Sequence, residues 1–119
     1  DRIGVLAPQY VKYVERSKVS SDKQLADNVY QALTTAYIDP TVTGKPSADV
    51  AKTALGADTG SDTFWTNVYA TLGVSQASDV TGKLKAAGST ALQYSFDAAT
   101  GTFTVYGTAT QGGDYTIPE

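Results

Sequence analysis

The stretch from Pro8 to Ile38 limits what this chain can fold into more than any other. It reads PQYVKYVERSKVSSDKQLADNVYQALTTAYI, with no glycine or proline after its first residue. Proline is tolerated at the first position of a helix, where its missing N–H would have no partner anyway. Asp39-Pro40 ends the stretch, because the residue before a proline is pushed out of helical space. The expectation is one helix of about 30 residues, about 45 Å long at 1.5 Å per residue. A compact globule of this length is only about 30 Å across. Part of the helix therefore projects, or is covered by something beyond this chain.

Helical spacing says which part. At about 100° per residue, Leu25, Ala26, Val29, Tyr30, Leu33, Ala36 and Tyr37 share one arc, with Asp27, Asn28, Gln31, Thr34 and Thr35 opposite. The second half is thus an amphipathic helix with a core to pack on. In the first half the same arc carries Glu15, Lys18 and Asp22, and Tyr10 and Tyr13 lie away from Val11 and Val14. Residues 1–24 are therefore read as a projecting half and residues 25–119 as one globular domain. The first half is either solvated, held by four-residue pairs such as Lys18–Asp22 and Lys23–Asp27, or buried between subunits.

Beyond the helix, residues 39–46 (DPTVTGKP) form a turn-rich exit. Ser47 is expected to cap a short helix, with Asp49 in its first turn, Val50, Ala51, Ala54 and Leu55 on its apolar side and Gly56 as its stop. A second short helix starts at Ser61 or Asp62, places Phe64, Trp65, Val68, Tyr69 and Leu72 at helical spacing, and ends at Gly73. Phe64 and Trp65 are read as core rather than as a ligand platform, because burial alone explains an apolar aromatic pair. Ser78-Asp79 opens a third segment, weakened by Gly82. From Thr90 the period becomes two. Leu92, Tyr94 and Phe96 alternate with Gln93 and Ser95, and Phe103 and Val105 alternate with threonines. Residues 97–101 (DAATG) make a hairpin loop, and residues 114–117 a third strand after Gly112-Gly113. The expected fold is α+β: a long N-terminal helix on a small three-stranded antiparallel sheet, with short helices in the connection. Its core is Leu25, Val29, Leu33, Tyr37, Trp65, Leu92, Tyr94, Phe96, Phe103 and Val105.

Composition removes several function classes. The net charge of −3 leaves no basic face of the density that nucleic acid requires. The chain has no Cys and no His, which removes a thiol nucleophile, a histidine base and the usual zinc and haem ligand sets. Ser17 and Lys18 are adjacent, about 100° apart on a helix, so they form no dyad. Gly56 and Gly60 are not followed by the Lys-Ser/Thr of a phosphate loop. No catalytic residue is assigned, and an enzyme is the least supported reading. Residues 3–7 are too short an apolar run to span a membrane.

The segment GVLAPQYVKYVERSKVSSDKQLADNVYQALTTA resembles the first helix of type IV pilins and related major pseudopilins. The resemblance rests on the small-apolar run Gly4-Val5-Leu6-Ala7, then Pro8-Gln9-Tyr10, then the mixed-charge Arg16-Ser17-Lys18-Val19, then an apolar stripe. The specific part covers about a quarter of the chain; the rest agrees in layout, a long helix laid across a small antiparallel sheet. In that family the helix begins with a membrane-spanning segment behind a leader that is cut off, and the new N-terminus is methylated. Neither segment lies in this sequence, which the resemblance reads as an N-terminally truncated form with Asp1-Arg2 foreign to it.

The resemblance implies a homo-oligomeric cell-surface filament for adhesion, motility or biofilm formation, extracellular, with a precursor held in the cytoplasmic membrane and handled there by the pilus assembly machinery. It places Val5, Leu6, Pro8, Tyr10, Val11, Tyr13 and Val14 in filament assembly. A major pseudopilin of a secretion or competence system is the alternative within the family. A non-polymerising extracellular binding domain, with a pocket near Trp65, is the alternative outside it. Major pseudopilins carry calcium in a C-terminal loop, which makes Asp97, Asp114 and Glu119 calcium candidates. The sequence lacks the alternating oxygen-bearing side chains of a calcium loop, so turn chemistry is the favoured role for these carboxylates and no cofactor is expected.

Overall fold

The structure is a computed structural model that describes residues 8–56 and 63–118, with backbone alone for residues 8–13. The chain runs α1 (Pro8–Ile38), β1 (Val50–Ala54), α2 (Thr63–Leu72), α3 (Ala77–Thr81), β2 (Leu92–Asp97), β3 (Thr102–Gly107) and β4 (Tyr115–Ile117). The fold is α+β, one long N-terminal helix against an antiparallel sheet.

Helix α1 holds 31 residues, about 46 Å at 1.5 Å each. It gives the molecule extents of 61 × 27 × 20 Å and a radius of gyration of 16.5 Å. A compact chain of this length would have a radius of about 13.5 Å. At its C-terminal end the Asp39 carboxylate accepts bonds from the Thr41 hydroxyl at 2.7 Å and the Thr41 N–H at 2.9 Å. This turn stops the helix and holds the Asp39 carboxyl below its ordinary pKa, the hydroxyl bond contributing most.

The sheet has four strands in the order β1-β2-β3-β4, every pair antiparallel, where three were expected. The added strand is β1, which falls where a short helix was expected. Two causes overrode the helical spacing of Val50, Ala51, Ala54 and Leu55. Asp49, expected in the first turn of a helix capped by Ser47, instead accepts the Ala98 N–H on its Oδ1 at 2.8 Å, tying the segment to the β2–β3 turn. The backbone then pairs Val50 with Phe96, Thr53 with Tyr94 and Ala54 with Gln93, with a register irregularity between Val50 and Thr53. A bulged strand on the edge of a sheet lacks clean alternation, and β1 buries none of its own residues fully.

Strands β2 and β3 follow their period-two pattern. Tyr94 faces Val105 and Phe96 faces Phe103 across the ladder, and all four are buried. Over them lie α1 and α2. Phe64 stacks on Phe103, ring centroids 5.9 Å apart, and Trp65 meets Tyr94 edge-on at 5.1 Å. Tyr37 closes the far end against Phe96 and Phe103 at 5.2 and 5.7 Å. Helix α2 ends as its glycine predicts. Gly73 has φ of 75°, and the Gly73 and Val74 N–H groups return to the carbonyls of Ala70 and Tyr69 at 3.0 and 2.9 Å, the bonding of a Schellman terminus. Helix α3 begins one residue before Ser78-Asp79 and stops at Gly82. Its Asp79 accepts the Ser75 N–H at 3.1 Å.

Candidate functional site

The side chains that set α1 on the body begin in its first half and continue to its end. Glu15, Val19, Asp22, Ala26, Val29, Leu33 and Ala36 recur at intervals of three or four residues, so they line one face of the helix. Val19 is buried with Ala86 and Ala109, and Asp22 is only 1% exposed. A carboxylate this deep is costly unless its oxygens are hydrogen-bonded. Here the Lys85 N–H donates to both Asp22 oxygens at 2.9 and 3.1 Å, and the Ala86 N–H donates to Oδ2 at 2.8 Å. The next donor in line, the Ala87 N–H, reaches Glu15 Oε2 at 2.7 Å. Two helix carboxylates thus hold three successive backbone donors of a segment that turns at residues 86–89. That segment is held from its other side, where the Thr110 N–H donates to the Ala87 carbonyl at 2.8 Å and the Thr108 hydroxyl to the Gly88 carbonyl at 3.0 Å.

Contact between helix and body therefore reaches back at least as far as Glu15, ten residues ahead of the division drawn at Leu25. The residues that interrupt the apolar stripe are the ones that make the joint. Asp22, placed in sequence to pair with Lys18, turns to the backbone of residues 85 and 86 instead.

Tyr115 lies beneath this joint. Its ring packs on Gly107, its cross-strand partner, and Lys23 Nζ sits 5.5 Å from the ring centre. Burial pushes the Tyr115 hydroxyl above its ordinary pKa, and the negative charge of Asp22 adds to the rise. Ser89 pulls it back slightly. That pull is what a hydrogen bond between the two buried hydroxyls would exert, but Tyr115 Oη and Ser89 Oγ do not meet in full hydrogen-bonding geometry, so the contact is weak at most.

The residues assigned to assembly fall in the first turns of α1 and ahead of it. Val14 is half-buried. Pro8, Tyr10, Val11 and Tyr13 are described as helical backbone only, and Val5, Leu6 and Glu119 lie outside the described residues, as do Ser61 and Asp62. Of the core residues, Val29, Leu33, Trp65, Leu92, Tyr94, Phe96, Phe103 and Val105 are buried, and Leu25 and Tyr37 are half-buried against them.

The calcium candidates do not converge. Asp97 Oδ1 accepts the Ala99 N–H at 2.9 Å inside the β2–β3 turn, while Asp114 precedes β4 on the far side of β3. Among the described residues, no three His, Cys, Asp or Glu side chains group as a metal ion would need, and no helix is long and apolar enough to cross a membrane. A cleft of about 710 Å³ does open beside Trp65, bordered by Tyr69, Ala77 and Leu92. The indole itself is 5% exposed and packed against Phe64, Tyr69 and Tyr94, so it is a wall of the core and offers no open ring face.

Sequence signals for the joint existed in the spacing of Glu15 and Asp22, in step with Val29 and Leu33. Their charge disguised them, because the donors they bind lie more than sixty residues away in a segment with no periodic pattern. Comparison with family models, curated proteins and solved structures finds no match to this chain.

Proposed function

We propose that this chain is the structural subunit of a type IV pilus. Its role is to polymerise through the N-terminal helix into an extracellular filament, many copies of one chain, from a precursor held in the cytoplasmic membrane. The observation that carries this reading is the division of α1. From Glu15 to its end the helix is bonded and packed on the body, whereas the turns ahead of Glu15 carry the apolar residues Val11 and Val14 and the aromatic Tyr10 and Tyr13. A helix bonded to the body over one part, with apolar residues in the sequence of the other, is suited to bundling with copies of itself. Repetition of one heterologous contact then gives an open helical fibre. The sequence resemblance of residues 4–36 to pilin first helices supports the same reading. Function here is assembly, not catalysis, and no cofactor takes part.

The test is immunogold electron microscopy on source cells, with antibody raised against this domain. Gold along surface filaments is the expected result. Gold confined to the envelope without filaments would point to a pseudopilin fibre. Label found only in the medium would overturn assembly and favour a soluble binding domain.

A further inference from the structure

The two ends of the body carry a projection and a recess of opposite charge. At one end the β2–β3 turn, residues 97–101, presents exposed Ala98, Ala99 and Thr100. Exposed Asp49 and Asp97 stand at its base, fixed by bonds to the Ala98 and Ala99 N–H groups at 2.8 and 2.9 Å. At the other end a groove of about 540 Å³ runs between α1 and residues 82–85. Its apolar lining is half-buried Leu25 and Leu84, its rim is exposed Lys83 and Lys85, and its helix wall is the uncharged Ser21, Gln24 and Asn28. Of the two carboxylates on that stretch of helix, Asp22 is buried and turned to the Lys85 and Ala86 N–H groups, and Asp27 lines the separate cleft beside Ile117 and Pro118. No acidic side chain lines the groove to oppose an incoming anion.

The turn sits where α1 ends, with Tyr37 against Gly101. The groove sits around Gln24, about 20 Å back along the helix axis. Two surfaces so separated on one rigid body cannot meet within a molecule. They can meet only between copies, and a contact of unlike surfaces does not close into a symmetric dimer.

We infer that the 97–101 turn of one copy, with Asp49 and Asp97 at its base, docks in the Leu25–Leu84 groove of the next copy, between Lys83 and Lys85. The inference rests on the filament reading and specifies a contact between its heads. Ala98 and Ala99 supply small apolar contact on Leu25 and Leu84. The charges supply orientation and partner choice more than affinity, since exposed ion pairs are weak and screened by salt. Tethering of neighbouring heads by their helices raises the effective concentration enough for such a contact to be occupied.

The chain's lack of cysteine makes the contact testable. Equal amounts of a Thr100→Cys protein and a Gln24→Cys protein are mixed and oxidised at low salt. The ratio of mixed to like-with-like disulfide dimers, one to one by chance, should rise about fivefold, the size of a weak exposed charge contact. At about 1 M salt, where the screening length is about 3 Å, the excess should vanish. Lys83→Glu with Lys85→Glu in the Gln24→Cys protein should abolish the excess at low salt. Asp49→Lys with Asp97→Lys in its Thr100→Cys partner should restore it. A statistical product ratio at low salt, or a charge-swapped pair that fails to recover, overturns the contact. The outcomes stay separable from the filament reading: an excess in a protein whose cells show no filaments leaves the contact and removes the pilus, while filaments with a statistical ratio do the reverse.

Discussion

At the scale of single residues, the unusual group is Asp22. It occupies a core position of α1 and survives there because it accepts N–H bonds from Lys85 and Ala86. Replacing it with Ala strands those donors and opens a void. The expected loss is about 2–4 kcal/mol of unfolding free energy, since bonds to a charged acceptor and unsatisfied buried donors are each worth about 1–3 kcal/mol. Asp22→Asn keeps the volume and one acceptor oxygen, and should lose about half as much. Urea titration of the two variants measures the order. A neighbour gives a pH signature. The Tyr115 hydroxyl is held above its ordinary pKa in the folded state, first by burial and then by Asp22. The unfolded chain therefore releases that proton first. The stability that Tyr115 contributes is complete below about pH 10 and falls as pH rises from there through the folded value. Tyr115→Phe should remain as stable at neutral pH, because Oη has at most a weak contact to lose, and should lose less stability than the parent above pH 10. Thermal melts of both proteins from pH 8 to 11 check this. A Phe variant that follows the parent throughout would assign the alkaline loss to other groups.

At the scale of elements, what sequence made legible depended on whether a segment's partners were near it. Leu92, Tyr94, Phe96, Phe103 and Val105 declare strands β2 and β3 because each alternates over a short loop, and the ladder pairs them as alternation requires. The stripe from Ala26 to Ala36 declares the packed half of α1. Strand β1 could not be read this way. Its Ala51, Ala54 and Leu55 lie at helical spacing, and only its pairing with β2, some forty residues on, makes it extended. The joint of Glu15 and Asp22 was hidden for a similar reason: a carboxylate that binds a distant backbone looks in sequence like one that faces water. Pairing between strands also explains Gly107. It lies opposite Tyr115 on β4, and a Cβ there would run into the Tyr115 ring. An aromatic ring laid over a cross-strand glycine stabilises a weak strand position, and here it anchors the three-residue β4. Gly107→Ala should cost about 1–3 kcal/mol, the usual range for overpacking. In a double-mutant cycle, adding Tyr115→Ala to Gly107→Ala should cost clearly less than adding it to the parent, because removing the ring also relieves the clash. Additive costs would show that the ring moves aside freely.

At the scale of the whole molecule, the elongation of 61 Å comes from one helix serving two environments. The boundary between them should be visible in amide exchange. Beyond Ala26 the helix is covered by α2 and the sheet, so its amides should open only with global unfolding. Between Glu15 and Asp22 protection rests on the Asp22–Glu15 joint and on Val19, and should be intermediate. If the turns ahead of Glu15 depend on helix propensity alone, exchange there should be fastest, because helices standing alone are marginal in water. In Asp22→Ala the edge of strong protection should retreat toward Ala26 while the amides of β2 and β3 change only by the global loss of stability. A uniform drop across α1 would mean that the joint is not a separate unit. The same division bears on assembly. Val11→Asp with Val14→Asp places two charges on the turns of α1 ahead of Glu15. If those turns pack only against other copies, filaments should disappear from cells while the melting temperature of the isolated domain shifts by less than about 2 °C, as surface substitutions usually do. A domain that melts well below the parent would show that these valines serve the body, and assembly would then need another surface.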